Sequence, residues 1–399
     1  MSALIPRREA VVWAACFLVV SLLLVVTGFT SDDPDSALYA ALSARLADGP
    51  PSHWIAPEWW GQWDSEGLFR EHPVGVFVLP TLLGAAGIPG VQATYIVGIG
   101  AGLASLLLLA HLVGQLSTRA DARAALILLQ VMPLASIFRI RANHEYPMLV
   151  CLLVALLGVD AVRRSWRWVW VLPVALTAAV LIKGVFVAVP LIAVGLWMLL
   201  NPRGERGSVW RPIAACAVAG LLMVVMAVSY DAMYIRVTGE SFWAGYWARQ
   251  LAPLTIATPG DNGSTIAHHL GFYALRVLWH PAPWSWALIA AGLIYRERLV
   301  RAWRGLPAPS ARGLLFAIGA ATAIVLLLTP ASRFAERYIF SANYLIAAAV
   351  IPVALRLLPA LGSWMAAVDR RVPAAAALLW LALMVLRLVA GPYLPRISG

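Results

Sequence analysis

Acidic side chains are concentrated in a short stretch near the start of the chain. Eight of its 19 Asp and Glu residues fall within positions 32–71: Asp32, Asp33, Asp35, Asp48, Glu58, Asp64, Glu66 and Glu71. This acidic stretch follows an apolar run of membrane-spanning length. A carboxylate acts as a general base when a hydroxyl or amine proton lies within its hydrogen-bond reach. The stretch therefore indicates acid–base chemistry just outside a membrane, on a substrate carried by a lipid.

Three further segments carry side chains that could share such chemistry: Glu71–His72, His144–Glu145 and Lys183. Carboxylates can take up a proton, and a lysine offers a point charge for a phosphate. The sequence contains no Walker A loop, no GxGxxG turn and no HExxH helix. A soluble nucleotide held by a nucleotide-binding fold is therefore not the predicted donor.

Each of these residues also has a simpler explanation. Asp33 would cap a helix, and Asp35 in its first turn would gain a little from the helix dipole. Glu145 could form a surface ion pair with Arg141, which contributes little to stability. Lys183 could extend along apolar neighbours to the lipid headgroups. These explanations weaken if the three carboxylates and the lysine converge at one depth on one side of the membrane.

The composition is that of a polytopic membrane protein. Hydrophobic residues make up 61% of the chain and charged residues 12%, against roughly 45–50% and about 25% in soluble domains. The net charge of +11 is expected from basic cytoplasmic loops beside anionic headgroups, so nucleic acid is not a predicted partner, whereas membrane lipids are. The three cysteines fall in apolar runs, with neither metal-ligand spacing nor a disulfide framework.

Basic clusters alternate with the apolar runs and so predict the topology. Arg7 and Arg8 place the N-terminus inside, which puts a first loop at 30–90 outside and a later long loop at 231–275 on the same outer face. Residues 73–90 are apolar but broken by prolines and glycines, and they are interpreted as an interfacial or re-entrant segment. The predicted fold is all-α and polytopic, with about eleven transmembrane helices.

The elements that must position the acids begin with a helix over 34–47. Asp33 is a suitable N-cap, and Leu38, Leu42 and Leu46 recur one turn apart on one face. The segment is too short and too polar to span a bilayer. It therefore predicts an interfacial helix on the outer side, in the first loop, at the mouth of a cavity.

Taken in order, these motifs resemble the bacterial C-type glycosyltransferases, which include the aminoarabinose transferases of lipid A and the protein O-mannosyltransferases. The matching segments are Asp35-Ser36-Ala37-Leu38-Tyr39-Ala40, Glu71-His72-Pro73-Val74, Glu145-Tyr146-Pro147-Met148, Ile182-Lys183-Gly184, HHLGFYALRVLWHPAPWSWAL and Arg337-Tyr338. The resemblance covers residues 1–345 as one transmembrane module and leaves 346–399 as C-terminal transmembrane helices.

The resemblance implies an enzyme that takes a sugar from a polyprenyl-phosphate carrier and gives it to a lipid, glycan or protein acceptor. It places the active site on the periplasmic side of the bacterial cytoplasmic (inner) membrane. Asp35 would be the general base of an inverting transfer, and Glu71 and Glu145 would orient substrate. The implied donor-binding residues are Lys183, Arg337, Arg333, His72 and Tyr338.

The chain departs from the family pattern at three places. Ser36 replaces an acid, His72 replaces a lysine and Glu145 replaces an aspartate. A histidine can be neutral near pH 7, so His72 is a poorer fixed contact for a phosphate. Some relatives hold a metal, and Glu71 with His268 or His269 would supply its ligands here. A divalent metal is thus an open alternative, and no cofactor is certain.

Two other functions stay open at this stage. A transporter or flippase for a lipid-linked sugar would contain internal repeats and ionisable groups near mid-membrane. No convincing repeat is present, and Arg387 is the one charge within the final span. A non-catalytic assembly subunit would tolerate the departures at Ser36 and His72. For a transferase, the acceptor would meet the loop at 231–275, where FWAGYWARQ offers an aromatic surface.

Overall fold

The computed structural model describes residues 11, 14, 15, 17–19, 21, 33–59, 67–130, 132, 134, 135, 138, 141–252, 262–331, 334–360 and 363. Asp32, Arg333 and Arg387 lie outside these residues. Most of the first predicted span and all of the last one also lie outside them, so the predicted positions of the two termini stay predictions.

The described chain is mostly helical. In chain order its helices are α1 Pro34–Asp48, α2 Gly75–Ala85, α3 Gly90–Leu116, α4 Arg119–Leu128, α5 Glu145–Arg164, α6 Val171–Lys183, α7 Ala188–Leu200, α8 Trp210–Thr238, α9 Phe242–Tyr246, α10 Asn262–Trp279, α11 Trp284–Ile294, α12 Arg296–Arg304, α13 Ala308–Leu328 and α14 Phe340–Leu357. Short 3₁₀ turns cover Pro51–Trp54, Trp166–Trp168, Gly184–Val187 and Glu336–Ile339, and a π turn covers Trp247–Leu251. Strands β1 Glu58–Trp59 and β2 Gly67–Leu68 pair antiparallel within the first loop.

Several helices are long and apolar enough to cross a membrane. Six candidate segments occur among the described residues: Gly90–Leu116, Glu145–Arg164, Trp166–Leu200, Trp210–Thr238, Ala308–Leu328 and Glu336–Leu357. The segment Trp166–Leu200 contains both α6 and α7. Helices α2 and α11 are apolar but shorter. A span needs about 20 residues, so these lengths fit a multi-pass membrane protein, while the total of about eleven spans stays a prediction.

Helix α1 begins where the sequence predicts. The Asp33 carboxylate accepts hydrogen bonds from the backbone N–H and the hydroxyl of Ser36, which is the N-cap arrangement. Leu38, Leu42 and Leu46 are buried, and α1 packs on α2 and α3. The predicted helix and its apolar face are therefore confirmed. Its position at the membrane interface stays a prediction.

The helices that carry the charged residues form an antiparallel bundle. Lys183 ends α6 and contacts Glu145 at the start of α5. At the opposite end, Arg163 in the last turn of α5 donates to the carbonyl of Met198 in the last turn of α7. Helices α6 and α7 therefore run in opposite directions, joined by a turn at Gly184–Val187. This turn places Lys183 at the same end of the bundle as Glu145.

The predicted long loop 231–275 is partly helical in the structure. Helix α8 continues to Thr238, and helix α10 already begins at Asn262. The extra turns of α8 are stabilised because Tyr230 and Tyr234 pack into an aromatic cluster, and the Tyr230 hydroxyl donates to the carbonyl of Ile55 in the first loop. The bounds of this loop between the flanking spans, and its position on the outer face, stay predictions.

Candidate active site

Asp35 lies in the first turn of α1 and faces the start of α14. Its carboxylate accepts a hydrogen bond from the guanidinium of Arg337, which belongs to the 3₁₀ turn preceding α14. The Asp35 side chain is 27% exposed and that of Arg337 is 29% exposed. The ion pair thus lies at the edge of the protein interior, where a substrate can reach both groups.

A second ion pair lies at the start of α5. The ammonium of Lys183 donates to Glu145 Oε1 at 3.0 Å, and the two side chains are 5% and 2% exposed. Neither simpler explanation holds, because Glu145 pairs with Lys183 instead of Arg141, and Lys183 is buried instead of extending to the surface. An ion pair this deep has a desolvation cost that surface pairs avoid. Such placement indicates a function besides stability.

Aromatic side chains enclose Lys183. Its ammonium lies 4.5 Å from the ring centre of Phe186 and 5.5 Å from that of Tyr338. The next residue, Gly184, has φ +58°, and a Cβ at this position would lie 2.7 Å from the hydroxyl of Tyr246. Glycine is therefore needed both for the turn and for the approach of Tyr246. The arrangement fixes the ammonium beside Tyr338, one residue after Arg337.

The two ion pairs act on each other electrostatically. Burial raises the pKa of Asp35, Arg337 opposes this rise, and the negative charges of Asp33 and Glu145 add to it. A raised pKa makes a carboxylate a stronger base while Arg337 still favours its ionised form. Asp35 thus has the accessibility and the basicity that proton abstraction requires.

Two histidines, His72 and His144, lie close to Tyr39 and Glu145. The rings of His72 and His144 are 4.8 Å apart, and both pack near Tyr39. Burial lowers the pKa of His144 to about 4, although Glu145 lies 3.1 Å from its Nε2. Burial, with His144 and Lys183 adding to the effect, lowers the pKa of His72 well below its usual range. Both rings are therefore neutral near pH 7, and His72 supplies no fixed positive charge.

Ser36 joins the first loop to the segment before α5. Its buried hydroxyl accepts a hydrogen bond from the backbone N–H of Ala142 at 2.9 Å and donates to Asp33 at 2.7 Å. This serine therefore holds the first turn of α1 against the loop that leads to Glu145. Sequence reasoning missed this role for Ser36, and it missed the packing of Tyr39 and His144. The one sequence feature that pointed to His144 was its place next to Glu145.

The predicted metal group is not assembled among the described residues, where no three His, Cys, Asp or Glu side chains lie together as a metal site. Glu71 is half-buried beside His72. His268 is exposed and packs on Phe334, whereas His269 is buried, with Nδ1 3.2 Å from the carbonyl of Thr329.

Comparisons with known proteins find a matching family model and a similar fold. Residues 72–230 match the family model described as dolichyl-phosphate-mannose-protein mannosyltransferase. The whole fold is similar to ArnT from Cupriavidus metallidurans bound to undecaprenyl phosphate, with a TM-score of 0.63 and 16% identity over 97% of this chain and 66% of that one. The apo state of the same protein gives a TM-score of 0.61 and 17% identity, with the same coverage.

The sequence similarity and the coverage differ between these comparisons. No curated protein sequence matches the chain. The chain spans 66% of the length of ArnT, and an identity of 16–17% establishes likeness of fold. The family model covers 72–230, which includes α5, α6 and the Glu145–Lys183 pair. Residues 72–230 therefore match the dolichyl-phosphate-mannose-protein mannosyltransferase family model, and the chain has a fold similar to that of ArnT.

Proposed function

We propose that the protein is a membrane glycosyltransferase that moves a sugar from a polyprenyl-phosphate carrier to an acceptor hydroxyl or amine. The reaction inverts the anomeric carbon, and Asp35 is its general base. The site faces the outer side of the bacterial cytoplasmic membrane. The acceptor is a lipid, a glycan or a protein, and it approaches past the segment that contains α9.

One observation carries the proposal: the partly exposed Asp35 meets Arg337 beside the buried Glu145–Lys183 pair. These residues come from four separate helical segments, and the two pairs act on each other electrostatically at one end of the bundle. They provide a base for the acceptor and two cations for a phosphate. The shared fold with ArnT, which has been seen with undecaprenyl phosphate, supports the choice of carrier.

In the proposed reaction, the donor phosphate binds Arg337 and Lys183, with Tyr338 packed between them. When the phosphate binds Arg337, it replaces Asp35 as the partner of the guanidinium, and the Asp35 carboxylate is released from its ion pair. The Asp35 carboxylate then removes the acceptor proton, and the acceptor oxygen or nitrogen bonds to the anomeric carbon from the face opposite the phosphate. The bond between that carbon and the phosphate oxygen breaks, and polyprenyl phosphate leaves with the electron pair. Glu145 orients the substrates and keeps Lys183 in place.

The test is sugar transfer by the purified protein in lipid nanodiscs, with radiolabelled sugars on polyprenyl carriers extracted from bacterial membranes. Asp35→Asn removes the base but keeps the size of the side chain. We expect transfer to fall at least ~10²-fold, the lower end of the usual contribution of a general base. Asp48→Asn is the matched control, because Asp48 is exposed at the other end of α1.

Native transfer by Asp35→Asn would contradict the role of this carboxylate. A wild-type protein that transfers no sugar but binds undecaprenyl phosphate would instead fit a non-catalytic assembly subunit. Carrier-dependent uptake of the sugar into sealed vesicles, without transfer, would fit a transporter.

A further inference from the structure

A second pair of buried ionisable side chains lies directly behind Arg337. His280 Nε2 is 3.5 Å from Glu336 Oε2, and the two side chains are 4% and 5% exposed. Glu336 precedes Arg337 in the 3₁₀ turn, and His280 follows the last residue of α10. The proposed transfer reaction gives no role to this pair.

The pair belongs to a larger polar cluster. Arg276 and Arg141 both act electrostatically on Glu336. Arg276 lies one turn before His280 on α10, where its carbonyl accepts the N–H of His280 at 2.8 Å. The guanidinium of Arg276 packs 3.4 Å from the ring centre of Phe272, which limits its movement. Glu336 is therefore influenced by His280 and Arg276 at the end of α10 and by Arg141 in the segment before α5.

The backbone makes Glu336 and Arg337 point to different partners. In the turn, Tyr338 N–H donates to the carbonyl of Ala335 at 3.1 Å. The Glu336 side chain reaches His280, while the Arg337 side chain reaches Asp35 on α1. The turn is thus contacted on both sides, by His280 just after α10 and by the ion pair with Asp35 on α1.

We infer that Glu336 and His280 are positioning residues for Arg337, because they hold the 3₁₀ turn at the orientation in which Arg337 meets Asp35 and the donor phosphate. A long, flexible cation binds a phosphate well only when its backbone is held in place. Apolar residues can often replace a buried pair of ionisable side chains at no loss of stability, so we attribute the presence of Glu336 and His280 to positioning. The inference rests on the proposed function for the identity of the phosphate.

Three variants test this inference. Glu336→Gln and His280→Gln break the pair with little change in size, and Glu205→Gln breaks an ion pair with Arg164 and Arg203 at the opposite end of the bundle. Undecaprenyl phosphate binding, donor KM, kcat and melting temperature are measured for each in nanodiscs. We expect Glu336→Gln and His280→Gln to raise the Kd and KM for the lipid about tenfold while kcat changes less. Glu205→Gln leaves all three constants unchanged.

A double-mutant cycle separates positioning from general stability. If Glu336 acts through Arg337, then Glu336→Gln adds no further loss of lipid binding to Arg337→Ala. Independent, additive losses would overturn the inference. So would a lowered melting temperature with unchanged KM.

A structure of Glu336→Gln gives a readout that needs no donor. We expect Arg337 to have left Asp35, and an unchanged contact would overturn the inference even if the wild type bound no polyprenyl phosphate. Absence of lipid binding by the wild type would instead count against the proposed function alone.

Discussion

The two ends of the helix bundle use buried charges in different ways. At the end opposite the site, both carboxylate oxygens of Asp160 are occupied, by Trp197 Nε1 at 2.9 Å and by Arg203 at 3.1 Å. At the site, Glu145 Oε2 is buried without a hydrogen-bond partner in the described part of the chain.

This difference separates a structural network from a binding site. Burying a polar atom without a partner costs free energy, so natural interiors leave few of them. The Asp160 network has no free capacity and acts as a link between α5 and α7. Under the proposed function, the free Glu145 Oε2 is the atom that accepts a hydrogen bond from the substrate. The following predictions test whether the two ends really differ in this way.

The largest contrast is expected between Glu145→Gln and Asp160→Asn. Glu145→Gln leaves Lys183 without its carboxylate, whereas Asp160→Asn takes one of two carboxylates from Arg203, which keeps Glu205. Removing one partner of a buried pair costs about 3–5 kcal/mol of stability. We expect both to unfold at lower temperature. Only Glu145→Gln should also reduce transfer per folded molecule, by about 10²-fold, because the released Lys183 no longer keeps its position.

The measurement combines thermal unfolding with radiolabelled transfer, both in nanodiscs and well below the unfolding temperature. Equal losses of transfer in the two variants would contradict the distinction between the two ends, since Asp160 lies in no position to contact a donor.

A smaller effect is expected when arginine is replaced by lysine at each end. Lysine keeps the charge but loses the planar, two-pronged geometry that suits phosphate. Arg337→Lys should therefore raise the donor KM about tenfold. Arg203→Lys should leave KM unchanged, because Arg203 contacts only protein carboxylates, Asp160 and Glu205, among the described residues. Steady-state kinetics at varied donor concentration checks both, and a matching rise in Arg203→Lys would count against a donor role for Arg337.

The start of α1 and the location of Glu145 and Lys183 at one end of the bundle could be predicted from the sequence, because both depend on local or periodic signals. The Asp33 cap and the leucine face of α1 follow from neighbouring residues. Alternating basic clusters placed Glu145 and Lys183 on one side, and their contact at 3.0 Å agrees with that expectation.

Other features could not be predicted, because they depend on contacts between distant segments. Nothing local shows that the hydroxyl of Ser36 would accept from Ala142, or that Glu336 would meet His280. The sequence also could not show that Glu145 pairs with Lys183 and not with Arg141, because Lys183 lies on a different helix. The last turns of α8 depend on the packing of Tyr230 against Ile55 and Ala56 of the first loop.

The smallest expected effect concerns the pH dependence of transfer. Burial raises the pKa of Asp35, and the charge of Asp33 contributes to the rise. The working base is the carboxylate, so kcat/KM should fall as the pH drops through this raised pKa, and the acidic limb should lie above the usual aspartate value. Asp33→Asn keeps a capping side chain but removes the charge. It should therefore move the limb to lower pH.

The control for this shift is Asp48→Asn, which removes one negative charge from the exposed end of the same helix. Screening by solvent and salt makes that distant charge ineffective, so the limb should stay in place. The profile of kcat/KM against pH is measured for the wild type and both variants at one ionic strength. If Asp33→Asn and Asp48→Asn shifted the limb equally, the effect would come from overall charge, and the local field at Asp35 would not set its basicity.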